Sequence, residues 1–463
     1  MAIISILAIL ILASIYIITS KNTHRLPVIA LAIGAILAVI FFIASLGSNT
    51  TDAFYYGMIV FFLGVGLLIV WASYTMIDYD IEEKKYPLYY SMILLLIGSL
   101  CAIVYLDHLI AVYVALEISA VLSAALVMIK PNRVNFRAGI KYLLLSILAS
   151  AFFLIGIVIL YRLTNTFYIS EIRELLLANY NLKLIRYSFI FIFIGIAFKS
   201  ALFPFHIWLP DAYGSAPASS SAILSGIVSK SYIVLFIKLI YISFGIDTVL
   251  ETNILGISLI LGAAGMMYGS FLAILQEDLQ HRIAYSSVAQ IGYIFMGIGL
   301  GNTIGLMAAV FHIIAHGITK SCLFLTEGTI VKKTGLRNTI DMNGLGKVLP
   351  VTMALYTICS LSMIGIPLFV GFTSKWNFAM AIMEFDSFIL ILILSISSLL
   401  NGIYFLPLSI RSYFVLDESR ERNMNLEPKG QMPIIILGLL VIATGILSSP
   451  LTNLINNIVE RLI

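Results

Sequence analysis

Charge is what this chain lacks. Only 11% of its 463 residues are Asp, Glu, Lys or Arg, against about 25% in soluble domains. No polar stretch exceeds roughly 25 residues, which excludes a separate soluble domain. Cysteine is scarce too. Cys101, Cys322 and Cys359 lie far apart in apolar segments, with no CxxC pair and no cluster able to hold iron–sulfur ligands. The chain is therefore expected to carry no redox or hydrolytic site, no cofactor and no metal of its own. A net charge of +4 gives no sign of a nucleic-acid partner.

Hydrophobic residues fill that space, at 61% of the chain, with a mean hydropathy of +1.05. Apolar runs recur from end to end, each long enough to cross a ~30 Å hydrocarbon core. The pattern predicts an all-α polytopic membrane protein of about fourteen spans, at 2–20, 27–47, 53–77, 87–106, 108–129, 136–161, 187–209, 215–241, 253–275, 283–300, 302–331, 348–380, 387–411 and 431–449. The first run lacks a basic leader and a small-residue cleavage site, so it reads as a retained span rather than a signal peptide. Numbering loops from the N-terminus, odd loops hold 16 basic residues, whereas even loops and the C-terminus hold five. The positive-inside rule then places the odd loops in the cytoplasm and both termini outside a cell membrane.

Two spans look broken. The seventh runs into Pro204 and Pro210; the twelfth carries GIPLFVGF around Pro367. Proline removes a helix hydrogen bond, and in lipid the freed backbone groups need protein or water as partners. Each break adjoins an intramembrane lysine, Lys199 before the first and Lys375 after the second. The breaks are five spans apart, and an odd-numbered repeat inverts its orientation. Residues 1–86 then form three leading helices, 87–241 a first five-helix repeat, 253–411 an inverted second repeat, and 431–463 a last helix and tail. Matching broken helices in two halves point to an ion site; two ordinary proline kinks are the plainer alternative.

Glu117, Lys199, Lys230, Lys320 and Lys375 sit where a span should hold apolar residues. A charge at the bilayer centre costs at least ~2.5–3.5 kcal/mol, so each needs a partner, water or a purpose. Glu117 is the one ionisable residue well inside its span, and a Glu–Lys pair with the seventh or eighth span is the natural partner. A lysine that gains and loses such a partner can load and unload a proton without covalent chemistry. A purely structural ion pair is the alternative. Lys141 and Lys238, near span ends, are expected to snorkel. In FHIIAHGITKSCLFLTEG, His312, His316 and Lys320 are spaced by four and share a helix face, with Glu327 close to the same stripe. Stacked titratable groups about 6 Å apart make a candidate proton wire. Two histidines at i and i+4 would also suit zinc, but the one further ligand nearby, Cys322, lies off that face. His206 and Asp211, at the polar end of the first break, either satisfy freed backbone groups or form an access path. Asp107 and His108 are expected to cap a helix or sit at the interface.

With these residues named, the chain resembles the antiporter-like subunits shared by Mrp-type cation/proton antiporters, respiratory complex I and archaeal membrane-bound hydrogenase and sulfur-reducing complexes. The resemblance runs over roughly residues 85–410, through ALEIS around Glu117, FKSALFPFHIWLPDAYGSAPASSSAILSGIVSKSYIVLF, EDLQHRIAYSSVAQIGY, FHIIAHGITKSCLFLTEG and LSMIGIPLFVGFTSKW. Within the family, the segment from Met342 to Trp376 looks closest to the D-type polypeptide of the Mrp antiporters. The resemblance implies fourteen helices, two inverted five-helix repeats and a hydrophilic axis through the membrane centre. It assigns the axis to Glu117, Lys199, Lys230, His316, Lys320 and Lys375. The expected function is proton translocation, with sodium as a candidate second ion, beside homologous membrane subunits of a multi-subunit complex. A proton-pumping subunit of a complex I-type NADH/quinone oxidoreductase is the alternative. A secondary transporter for an organic solute would call for a central substrate cavity rather than a row of titratable residues.

Overall fold

The computed structural model describes residues 2–20, 25–48, 51–415 and 430–463. Among these the structure is all-helical, with two isolated β-bridges and no strand. The helices of ten or more residues are α1 (Ala2–Ser20), α2 (Leu26–Leu46), α3 (Asp52–Ser73), α4 (Tyr86–Tyr105), α5 (Leu109–Met128) and α6 (Arg133–Thr164). They continue as α7 (Ile169–Ala178), α8 (Leu182–Ser200), α9 (Ala218–Phe244), α10 (Ile254–Leu275), α11 (Leu279–Gly299) and α12 (Thr303–Thr334). The last are α13 (Pro350–Ile364), α14 (Val370–Glu384), α15 (Phe388–Phe414), α16 (Met432–Ile446) and α17 (Ser448–Val459).

Nine of the described helices are long and apolar enough to cross a membrane, or ten if α16 and α17, bent by 80°, are one span. Fourteen were expected. The difference lies in spans that are short, polar or broken. α1 is among the shorter apolar helices, α8 and α11 fall outside the nine, and the expected twelfth span is divided into α13 and α14. Lys21, Arg420, Arg422 and Lys429, counted in the charge bias, lie outside the described residues.

A constant offset relates the two halves. The bridges pair His108 with Tyr168 and Asp278 with Asn338, each second residue 170 positions beyond its counterpart. The same shift carries α6 onto α12, both 32 residues long. It carries the N-cap of α6, where the Asn132 side chain accepts from the Asn135 N–H, onto that of α12, where Asn302 accepts from the Gly305 N–H. It also carries the left-handed C-cap Asn165 onto Gly335. Asparagine at the N-cap satisfies an otherwise orphaned amide, and Asn or Gly tolerates the left-handed cap, so the sequence sets the same start and stop twice.

Two helices form the centre. The membrane-length window is 100% buried in α9 and 94% buried in α12. Their backbones approach closely at Gly226 and Gly317, where a Cβ on Gly317 would lie 2.7 Å from the Gly226 carbonyl. α9 departs from α-helical winding at the π-turns Leu224–Val228 and Leu239–Phe244, a local widening that frees carbonyls inside the span.

Both expected breaks are present. α8 ends where Ala201 adopts the left-handed conformation (φ 61°), and the chain turns through residues 201–208 before the short helix Leu209–Ser215. The indole of Trp208 donates to the Phe198 carbonyl at 2.8 Å. α13 ends at Gly365 (φ 94°) and the chain resumes as α14 at Val370. One charge departs from expectation. Lys238 does not snorkel: it is buried and donates to the carbonyls of Val104 (3.1 Å) and Leu106 (2.7 Å) at the end of α4, over the Tyr55 ring. The open carbonyls of a helix end supply the partners that water would have given.

A candidate proton-relay axis

Every sequence-predicted relay residue except Glu117 is buried. Glu117 on α5 is partly exposed, with its side chain 32% accessible, and its Oε1 lies 3.7 Å from Lys199 Nζ. Lys199 also donates to Ser146 Oγ on α6 at 3.0 Å. It sits over the Tyr232 ring of α9, 5.9 Å from the centroid, and the Tyr232 hydroxyl pairs with Ser119 Oγ of α5 at 2.8 Å. The last turn of α8 thus holds one cation against a carboxylate, a hydroxyl and an aromatic face.

Lys230 is fully buried on α9 and donates to the Ser225 carbonyl and to Ser229 Oγ. Ser225 lies inside the first π-turn, so the irregular winding supplies the acceptor for the ammonium. Ser225 Oγ meets Ser287 Oγ of α11 at 3.1 Å. Ser287 donates to the Ile283 carbonyl (3.1 Å), which also accepts from Lys320 Nζ (2.9 Å). Lys320 donates in addition to Ser286 Oγ. The lysines of α9 and α12 are thereby joined through α11, although no sequence motif pairs them.

Along α12 the expected face is present. The His312 and His316 rings stack at 5.7 Å and 7°. His312 Nδ1 hydrogen-bonds Ser374 Oγ of α14 at 2.7 Å, and the next residue is Lys375. Lys375 caps the broken helix, donating to the carbonyls of Met363 (2.9 Å) and Ile364 (2.7 Å) at the end of α13, over the Tyr293 ring. Freed carbonyls at a half-helix C-terminus carry partial negative charge and suit an ammonium. His312 Nε2 and both nitrogens of His316 are buried without a protein hydrogen-bond partner. They border a cavity of about 10 Å³, lined also by Gln290, Thr319 and Lys375, about the room one water needs.

The remaining candidates separate from this line. His206 is buried between Phe203 and Tyr268 with Nδ1 unpartnered. Asp211 pairs with Lys141 at 2.6 Å in a half-exposed ion pair. Glu327, seven residues beyond Lys320, is buried with Oε2 unpartnered. Asp107 accepts from the Ser170 N–H (3.1 Å) and hydroxyl (2.6 Å), holding the start of α7. Sequence reasoning missed Ser146, Ser225, Ser286, Ser287 and Ser374. The 170-residue offset could have found one of them, because it carries Tyr142, Ser146 and Ser150 of α6 onto His312, His316 and Lys320 of α12.

Comparison with known proteins places the fold and the family. Residues 106–401 match the family described as NADH:quinone oxidoreductase/Mrp antiporter, TM. The chain belongs to this family. Family members of similar length include NADH-quinone oxidoreductase subunit N of Desulforudis audaxviator, 31% identical over 87% of this chain and 81% of that one. The D-type polypeptide of the Na(+)/H(+) antiporter of Alkalihalophilus pseudofirmus is 24% identical over 86% and 80%. Among solved structures, a chain of the membrane-bound sulfane sulfur reductase, an archaeal respiratory membrane complex, superposes with a TM-score of 0.91. That match covers 99% of this chain and 97% of the other at 21% identity, a likeness of fold. As a family member the chain is a multi-pass membrane protein built on the antiporter-like fold.

Proposed function

We propose that the chain is the proton-translocating subunit of a multi-subunit Mrp-type antiporter or Mrp-related respiratory complex, with sodium as a candidate second ion. The observation that carries this reading is the line of polar groups from the half-buried Glu117 and the buried Lys199, through Lys230 and Lys320, to His312, His316 and Lys375. Each lysine on it has at least one hydrogen-bond acceptor, and the line passes through the two most buried helices. Proton transfer then consists of changing the partner of each ammonium. Lys199 is the point where a carboxylate tunes that affinity, and Lys375 is held at the far break. His206, Asp211 and Glu327 are assigned to the access path. No cofactor is assigned to this chain, and its partners are other membrane subunits, protons and lipid.

Fourteen spans, ten of them in two inverted five-helix repeats at 87–241 and 253–411, are part of the same reading. The constant 170-residue offset between caps and bridges supports it, as does a break beside Lys199 and another beside Lys375. The bias of basic residues favours a cell-membrane location with both termini outside. The similarity to an oxidoreductase subunit N favours a second reading, a proton-pumping subunit of an NADH/quinone oxidoreductase. The test is proton movement in proteoliposomes of the purified complex, followed with a pH-sensitive dye. Gradient-driven or redox-driven acidification lost in Lys320→Ala, with assembly intact, is expected. Full activity in that variant would overturn the axis.

A further inference from the structure

Outside this axis, one groove combines charge with an apolar wall. It has a volume of about 860 Å³ and lies along the outer face of α6 and the turn leading into it. Two stripes run side by side down the helix. Arg133, Arg137 and Lys141 recur every four residues, as do Phe136, Ile140 and Leu144, so each set forms a single line. The groove has no acidic residue in its lining. Lys130 is matched by Asp80 at 2.8 Å and Lys141 by Asp211 at 2.6 Å. Arg133 and Arg137 make no ion pair or hydrogen bond among the described residues, and both are exposed. The site therefore offers two uncompensated guanidiniums above an apolar track.

Dimensions fit one kind of occupant. α6 has 32 residues, about 48 Å at 1.5 Å per residue, whereas the hydrocarbon core is ~30 Å thick. Its first turns therefore project to the head-group level, and they carry the arginines. From Arg133 to Leu144 is about 16 Å along the axis, close to the ~15 Å of one leaflet's hydrocarbon. Below that, Ile147, Leu148, Ile155 and Val158 continue the exposed apolar face. Arginine forks bind phosphate oxygens bidentately, and basic pockets on a membrane protein's cytoplasmic side suit anionic head groups.

We propose that this groove is a binding site for an anionic phospholipid, its phosphate between Arg133 and Arg137 and an acyl chain along Phe136, Ile140 and Leu144. An acidic segment of a neighbouring subunit would use the charges but leave the apolar track unfilled, so the lipid is the occupant the pattern favours. The test uses the full chain purified from phosphatidylcholine nanodiscs with or without phosphatidylglycerol, with retained lipid counted by native mass spectrometry. Retention of phosphatidylglycerol over phosphatidylcholine is expected. It should fall about fivefold for each arginine replaced, in Arg133→Gln and Arg137→Gln. Lys85→Gln, a basic residue away from the groove, should change nothing. Ile140→Asn should also release the lipid while both arginines stay and no charge is added, which inorganic phosphate binding alone would not do. Equal retention of the two lipids, or no loss in the double arginine variant, would overturn the proposal. So would displacement of the bound lipid by a co-purifying subunit.

Discussion

Lys199 is the residue on which a proton-carrying axis can be tested most directly. Its ammonium faces a carboxylate at 3.7 Å and a hydroxyl at 3.0 Å, so its charge is held by groups that can exchange it. Lys199→Ala should abolish proton transfer in proteoliposomes while leaving the complex assembled. Lys199→Arg should fail as well, because a guanidinium keeps its proton at any physiological pH; transport near the parent rate in that variant would remove Lys199 as a carrier. Glu117→Gln should disable or slow transport, and the Glu117→Gln/Lys199→Ala pair should lose less than the two single losses multiplied, as coupled neighbours do. Ser146→Ala should slow transport about tenfold without stopping it, since a hydrogen bond to a charged group contributes ~1.5–3 kcal/mol. Of these residues, Glu117 and Lys199 were legible in the sequence because an ion in an apolar run is costly and so stands out. Ser146 was not, because a serine in a membrane helix can bond its own backbone one turn earlier, as Ser150 does to Ser146. Nothing local distinguishes the serine that faces a lysine from one that does not.

Among the elements, the breaks were readable and the π-turns were not. Pro204, Pro210 and Pro367 announce where α-helical bonding must stop, and the structure breaks beside them. The widened turn at Leu224–Val228 follows from packing instead. α9 and α12 touch through Gly226 and Gly317, and the serine of that turn reaches α11. The same limit applies to α7, a short amphipathic helix set by Asp107 from outside its own sequence. Helix contact at the two glycines carries its own test. Gly317→Val would place methyl groups against the Gly226 backbone, costing about 1–3 kcal/mol of overpacking. It should lower the detergent melting midpoint and separate Lys230 from Ser287's helix. Ala at the same position, smaller by two methyls, should be milder in both readouts. Equal effects of Ala and Val would mean that the close approach does not position the axis.

For the molecule as a whole, orientation is open to a direct measurement. The three native cysteines are all buried, so an introduced thiol can be labelled against a low background. In intact cells a membrane-impermeant maleimide should miss Lys84→Cys and reach Lys183→Cys; the reverse pattern would invert the topology drawn from the basic loops. One further consequence follows from the ion pairs. Four buried lysines line the axis, yet among the described residues only Lys199 has a carboxylate within ion-pair distance; Lys230, Lys320 and Lys375 rest on carbonyls and hydroxyls. Two like charges ~10 Å apart at an effective dielectric of ~20 repel by about 1.7 kcal/mol. Filling one seat therefore raises the cost of filling the next. On the proposed axis the interior would then work as a turnstile, disfavouring a second added charge while the first is in place.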